Sequence, residues 1–143
     1  MTLLIVCAAA TWFMTGLHWF VPVVHYPLFA EVGPDRFLSY HRLHSQRTTP
    51  VVLPAMAVEL VTSGWLLFDR PGGTSTVVLA AGFVLAACTW AATGLLAVPR
   101  HTALGAGFDA AVHGGLNRAS WVRTVAWTAH AVIVGVLLHQ AAI

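Results

Sequence analysis

Two histidines lie three residues apart in the most polar stretch of the chain, the segment from Tyr40 to Pro50. On a helix, His41 and His44 share one face, and Arg47 follows one step further along it. Two imidazoles at this spacing can bind one metal ion between them, because their nitrogens project in the same direction. Taken alone, the pair is more typical of an amphipathic turn at a lipid surface. The positions of the other ionisable groups must therefore decide.

The composition is that of an integral membrane protein. Of the 143 residues, 58% are hydrophobic and only 8% are charged, with a mean hydropathy of +0.78. Soluble domains contain about 25% charged residues, so this chain lacks the polar surface that water requires. The net charge of +2 comes from arginine alone and is too small to indicate nucleic-acid binding. We expect residues 1–143 to form one domain in the lipid bilayer, with a homo-oligomer left open.

Four apolar segments of spanning length are predicted, at about 3–24, 50–68, 76–98 and 121–142. Between the first two, Asp35 is a suitable cap for a short amphipathic helix that ends near Arg47. The fold class is therefore all-α: a four-transmembrane-helix bundle with a short amphipathic helix between spans 1 and 2. The segment Pro99-Arg100-His101 is expected to end span 3, and a second polar connection then reaches Arg118.

The arginines predict the orientation of the chain. All but Arg70 lie on the side of the long connections that follow spans 1 and 3: Arg36, Arg42, Arg47, Arg100, Arg118 and Arg123. The positive-inside rule therefore places both termini outside and both long connections in the cytoplasm, in a plasma (inner) membrane.

The histidines gather on the same side. Only His139 belongs to the outer face, whereas five histidines lie at the cytoplasmic end: His25, His41, His44, His101 and His113. His18, Glu59 and His130 are expected about 10 to 13 Å deeper, if their helices rise regularly. Ionisable groups in a membrane are costly and usually line a cavity or pair, so Glu59, the single intramembrane carboxylate, is a candidate functional residue.

Each candidate also has a structural interpretation. Glu59 can be a neutral, hydrogen-bonded acid, and His18 and His130 can hydrogen-bond between helices. His113 fits an interfacial position at least as well as metal ligation. Arg47 and Arg123 can steady an anionic substrate, Glu59 or a lipid phosphate. The aromatic side chains fit an interfacial belt: Tyr26, Trp121 and Trp127.

Three segments carry a resemblance to known proteins: His25-Tyr26-Pro27, the stretch from Tyr40 to Pro50 followed by Glu59, and Asn117 through Thr124. With them, nearly the whole chain resembles small bacterial four-helix membrane proteins of unknown function. The Trp-x-Arg-Thr sequence of span 4 is also similar to the anthrone-oxygenase-like proteins, which are associated with cofactor-poor oxidation of polyketides. This second resemblance implies an oxidation and assigns no catalytic residue.

The residues themselves favour a membrane oxidoreductase with a non-haem iron or copper centre. Imidazole and carboxylate ligands suit both metals and leave coordination positions open for oxygen, and zinc is not excluded by ligand type. The predicted ligands are His25, His41, His44, His101 and Glu59. Glu59 is alternatively a proton-transfer group, and Arg47 and Arg123 complete the predicted catalytic set. A hydrophobic substrate would enter from the bilayer.

Two alternatives stay open at this point. A haem b-binding electron-transfer protein would use His18 or His25 on span 1 and His130 on span 4 as axial ligands, but leaves the His41/His44 pair unexplained. A metal or proton carrier would use the histidine layers as a path, but only His139 marks its outer half.

Overall fold

The computed structural model describes all residues from Met1 to Ile143, and the chain is entirely helical. Its elements are α1 (Thr2–Phe20), a π-helical turn (Val21–His25), a 3₁₀ turn (Pro27–Glu31), α2 (Pro34–Trp65), α3 (Thr76–Ala92), a second π-helical turn (Thr93–Ala97), α4 (Val98–Leu104) and α5 (Ala110–Ala142). The four long helices pack in a ring, in which α1 and α3 each contact both α2 and α5.

Three helical segments are long and apolar enough to cross a membrane: Thr2–Glu31, Thr76–Leu104 and Ala110–Ala142. The helix α2 is not among them, although it has 32 residues and is about 48 Å long. Its first half carries three arginines and two histidines, which lower its average hydropathy. The structure is therefore consistent with a membrane protein with at least three apolar helices.

The short amphipathic helix predicted between spans 1 and 2 is not a separate element. The helix α2 begins at Pro34, with Gly33 as its N-cap and Asp35 inside its first turn, and continues through Pro50 and Pro54 to Trp65. Both prolines are exposed and lie four residues apart, on the outer face of α2. The carbonyls that lose their donors can tilt outward there, so the helix continues past both prolines.

Two further boundaries differ from those predicted. The helix α5 begins eleven residues before Trp121, because the carboxylate of Asp109 caps it by accepting a hydrogen bond from the backbone N–H of Val112 at 2.8 Å. The third apolar segment does not end at Pro99 but continues through a π-helical turn into α4. Proline is tolerated there because it lies in the first turn of α4, where its missing N–H costs no internal bond.

The two ends of the helical ring differ in chemistry. At the end that holds both termini, the core is aliphatic and includes Leu4, Leu66, Leu79 and Leu137. The middle is filled by Met14, Met56 and Trp127. At the opposite end, which we call the histidine end, the core is aromatic and is made by Tyr26, Phe29 and Phe37 with neighbouring aliphatic residues.

Candidate functional site

Proline at position 22 shapes the segment that delivers the first histidine of the site. Pro22 has no N–H, so the carbonyl of His18 loses its intrahelical partner. The hydroxyl of Thr124 on α5 replaces it, donating to that carbonyl at 2.8 Å. The chain widens into a π-helical turn, closed by the bond from the Tyr26 N–H to the Val21 carbonyl at 2.8 Å. Such π-helical turns are frequent at functional sites, and this one carries His25.

Four of the predicted ligands meet at the histidine end. We call them the histidine cluster: His25 from the first π-helical turn, His41 and His44 from α2, and His101 from α4. They form two hydrogen-bonded pairs, with His25 Nε2 2.9 Å from His44 Nδ1 and His41 Nε2 3.2 Å from His101 Nδ1. The rings of His44 and His101 connect the pairs, being stacked with centroids 5.5 Å apart.

Aromatic and hydroxyl side chains hold the cluster in place. The hydroxyl of Tyr26 lies 2.9 Å from Nε2 of His101, and the hydroxyl of Thr48 lies 3.2 Å from Nδ1 of His44. The ring of Phe29 is fully buried among the imidazoles, and its centroid lies 5.0 Å from that of His44. Sequence reasoning placed Tyr26 in an interfacial belt and missed its contact with His101. Its position directly after His25 was the available signal.

His113 is near the cluster but bonds the main chain and none of the other imidazoles. Its Nε2–H donates to the backbone carbonyl of Tyr26 at 2.7 Å, so one ring nitrogen is occupied by the main chain. This arrangement fits the structural interpretation of His113. It supports the bend after the π-helical turn, where the chain reverses direction.

Histidines of the cluster have lowered pKa values. Burial lowers the pKa of His41, and burial together with the positive charges that His25 and His41 carry when protonated lowers the pKa of His44 to about 4. A metal ion binds the neutral imidazole, so a lowered pKa reduces proton competition at the site. No three or more His, Cys, Asp or Glu side chains, however, are placed to hold a metal ion without movement. The four nitrogens bond in pairs and do not point at one centre.

Glu59 is not part of the histidine cluster. It lies fifteen residues after His44 on the continuous helix α2, about 22 Å further along the axis. Its side chain is 0% exposed, and its two oxygens accept hydrogen bonds from Trp127 Nε1 and His130 Nδ1, both at 2.7 Å. The prediction that Glu59 ligates the same centre as His41 and His44 therefore does not hold. The helix that was expected to end before Pro50 carries the carboxylate away from it.

Trp127 joins His18, Glu59 and His130 into one group of contacts, which we call the deep network. Its ring is 0% exposed and stacks on His18 with centroids 4.0 Å apart, while its N–H reaches Glu59. The prediction that Trp127 belongs to an interfacial belt is therefore wrong. Its spacing of three residues from His130 places both on one face of α5, which was the available signal.

The two histidines of the haem alternative do not face a common space. The contacts from His18 to His130 run through the side chains of Trp127 and Glu59. His18 lines a cavity of about 240 Å³, whereas the cavity beside His130 has a volume of only about 10 Å³. Two axial ligands would need an open slot between facing helices, and the indole of Trp127 occupies this position.

A cavity of about 240 Å³ lies between the histidine cluster and the deep network. His44 and His101 form its upper wall, His18 and Arg123 lie deeper, and apolar side chains of α1 and α2 complete it, among them Leu17, Val52 and Met56. Its lining includes the exposed residues Thr49 and Leu53 of α2 and Val98 of α4, so it opens sideways between these two helices.

The two arginines of the predicted catalytic set have different positions. Arg123 is 5% exposed and lines the cavity. Arg47 is exposed and does not line it. The face of α2 that carries His41 and His44 turns toward the ring of helices, and Arg47 lies just outside the edge of that face. A role for Arg47 at the cavity is therefore not supported.

No match to the chain was found among protein-family models, curated proteins or solved structures. The functional argument therefore depends on the geometry of the site.

Proposed function

We propose that the chain is a membrane-embedded oxidoreductase that uses non-haem iron or copper, held by His25, His41, His44 and His101, and acts on a hydrophobic substrate. The observation that carries the proposal is the convergence of four imidazoles from three separate segments, two of which, His44 and His101, line a cavity that opens sideways. Imidazole is the nitrogen ligand that iron and copper share, and a redox metal would supply the electron-transfer chemistry.

The distances within the cluster fit this proposal in part. A metal bound at about 2.0 to 2.1 Å holds neighbouring ligand nitrogens about 2.9 to 3.4 Å apart, for right or tetrahedral angles. The nitrogens within each hydrogen-bonded pair, 2.9 and 3.2 Å apart, lie in this range, and a metal would have to displace the proton that each pair now shares. The two pairs do not point at one centre, so side chains of the cluster would have to move for all four imidazoles to hold one ion. The hydroxyl of Tyr26 would then hydrogen-bond to the ligand His101 and orient its ring, without itself contacting the metal.

The proposed membrane arrangement has four spans, with α2 crossing from about Pro50 to Phe68. Large apolar side chains of this part of α2 are exposed, among them Val51, Leu53, Val61 and Trp65, as expected for a lipid-facing surface. Arg36, Arg42, Arg100 and Arg118 all lie at the histidine end, so the positive-inside rule puts this end in the cytoplasm and both termini outside an inner membrane. The cavity then opens at the depth where lipid tails begin.

Neither alternative function fits the geometry as well. The haem b alternative requires His18 or His25 to face His130. Trp127 and Glu59 fill the path from His18, and His25 is hydrogen-bonded to His44 in the histidine cluster. A carrier requires a polar path to the outer end, and the aliphatic core around Leu4, Leu66 and Leu137 closes that end. Zinc would use the same ligands, and metal analysis of the purified protein distinguishes it from iron and copper.

The test is metal analysis of the purified protein with His44→Ala and a matched histidine control. Loss of a residue that merely bonds a ligand costs about 10- to 100-fold in metal affinity, so loss of a ligand should cost more. We expect the wild type and His139→Ala, whose histidine is exposed at the opposite end, to retain iron or copper with the same absorption spectrum. His44→Ala should lose the metal and remain folded. Equal metal content in His44→Ala and wild type would refute the proposal, as would a wild type that binds no metal after reconstitution.

A further inference from the structure

Arg123 is a buried cation without a partner. Its side chain is 5% exposed, and its Nε and Nη2 atoms have no hydrogen-bond partner in the protein. A guanidinium stays protonated in proteins, so this charge cannot be removed by loss of a proton. Burying a charge without compensation costs several kcal/mol, which makes an unpaired arginine at this position unfavourable unless something else meets it.

The chain itself supplies no anion to Arg123. Of its five side-chain carboxylates, four are exposed and lie near the helix ends: Glu31, Asp35, Asp69 and Asp109. The fifth, Glu59, is engaged by Trp127 and His130. The single ion pair in the structure is the one between Glu59 and His130, which requires a protonated histidine. The partner of Arg123 must therefore come from outside the chain.

The cavity gives that partner a place and limits its shape. Arg123 lines it together with His18, whose Nδ1 atom is also buried and unpartnered. No carboxylate lines the cavity, and its polar lining is completed by hydroxyls such as those of Thr48 and Thr49, which can donate to an anion. The remaining walls are apolar and are formed by aliphatic side chains together with Met56 and the ring of Tyr26. The site is thus cationic at one point and apolar around it.

We infer that this cavity binds an amphiphile with an oxyanion head, which Arg123 holds, and an apolar body, which leaves through the opening between α2 and α4. Nε and Nη2 lie on one edge of the guanidinium, the edge that grips a carboxylate or phosphate with two parallel hydrogen bonds. At about 30 Å³ for each water-sized volume, the cavity holds roughly eight such volumes, enough for a head group and the first atoms of a tail.

The binding itself needs no metal, and only the further step of taking the amphiphile as the substrate rests on the proposed function. The oxyanion has two sources, a free acid or a membrane phospholipid. The head group would lie below His44 and His101, which form the upper wall of the same cavity. An ion held by the histidine cluster would then face the bound molecule close to its head.

The test uses metal-free protein in nanodiscs of zwitterionic lipid, with dodecanoate as the probe of a free acid and dodecanol as its uncharged counterpart. Arg123→Met removes the charge, Arg123→Lys keeps the charge without the two-donor edge, and Arg118→Met removes an exposed arginine of the same helix. We expect Arg123→Met to bind dodecanoate at least about tenfold more weakly than the wild type, as expected for the loss of charge-assisted hydrogen bonds. Arg118→Met should bind like the wild type, and dodecanol should not distinguish the variants.

A second arm identifies the source of the oxyanion. Phosphatidate is added to the nanodiscs, and co-purifying lipid is measured by mass spectrometry for the same variants. Retention of phosphatidate that depends on Arg123 supports a lipid, and binding of dodecanoate alone supports a free acid. If Arg123→Met does not fold, Arg123→Lys decides, with weaker binding expected. If the folded Arg123 variants bind dodecanoate and phosphatidate as strongly as the wild type does, the inference is overturned. Metal content, measured separately on reconstituted samples, shows whether the proposed metal centre fails independently.

Discussion

Replacing Glu59 separates the deep network from the histidine cluster. Glu59→Gln keeps the shape of the side chain and one carbonyl oxygen, which can still accept from Trp127 Nε1. The new amide group would face His130 Nδ1, which must become an acceptor by moving its proton to Nε2. Glu59→Leu removes both hydrogen bonds and leaves Trp127 and His130 without partners. Glu59→Gln should therefore weaken this network less than Glu59→Leu does.

The size of the effect follows from the two bonds at 2.7 Å. Side-chain hydrogen bonds between membrane helices are worth about 0.6 kcal/mol on average and at most about 1.7 kcal/mol, since polar groups of the unfolded chain in lipid also find partners. Loss of both bonds in Glu59→Leu should thus cost about 1 to 3 kcal/mol. Glu59→Gln keeps one bond and can regain the other, so its cost should be about 1 kcal/mol or less.

Thermal unfolding of the purified variants in detergent, combined with metal analysis, measures both consequences. We expect the unfolding temperature to decrease in the order wild type, Glu59→Gln, Glu59→Leu. Metal content should stay at the wild-type level in Glu59→Gln, because the carboxylate lies about 22 Å along α2 from His44. Trp127→Phe tests the same network from the other side, since it removes one of the same bonds. A Glu59→Gln protein of unchanged stability that has lost its metal would refute this reasoning.

Three further predictions concern the histidine end and the membrane arrangement. Tyr26→Phe removes the hydroxyl next to His101 and should weaken metal binding about 10- to 100-fold, measured by competition with a chelator; unchanged affinity would contradict the role of Tyr26. Since the pKa of His44 falls from 6.5 in the unfolded chain to about 4 in the fold, the unfolded chain binds more protons between these values. The unfolding temperature of metal-free protein should therefore stay constant above pH 6.5 and fall as the pH decreases toward 4. In His44→Ala this dependence on pH should be weaker, and an equal dependence in both proteins would contradict the prediction. A reporter fused after Ile143 should be active only when it functions outside the cytoplasm, and activity of a cytoplasmic reporter at this position would reverse the proposed orientation.

The amino-acid sequence alone determined the helical class and the end of the molecule at which the histidines gather. Apolar segments of spanning length are a local property, and the turn near Gly72 and the prolines near His25 and His101 show where the chain changes course. With a rise of 1.5 Å per residue, these landmarks predict the depth of each residue along its helix. Depth is sufficient to bring His25, His41, His44 and His101 to one end.

Only the tertiary structure decided which polar side chains meet. Sequence spacing gives the depth of a residue but neither the rotation of its helix against the neighbouring helices nor the continuity of that helix across a proline. Because α2 runs unbroken through Pro50 and Pro54, Glu59 lies far from His44 and bonds Trp127 and His130. Because α5 turns one face toward the cavity, Arg123 is buried beside it while Arg118, five residues earlier, is exposed. Burial of this kind depends on packing between distant segments, and no local pattern in the chain encodes it.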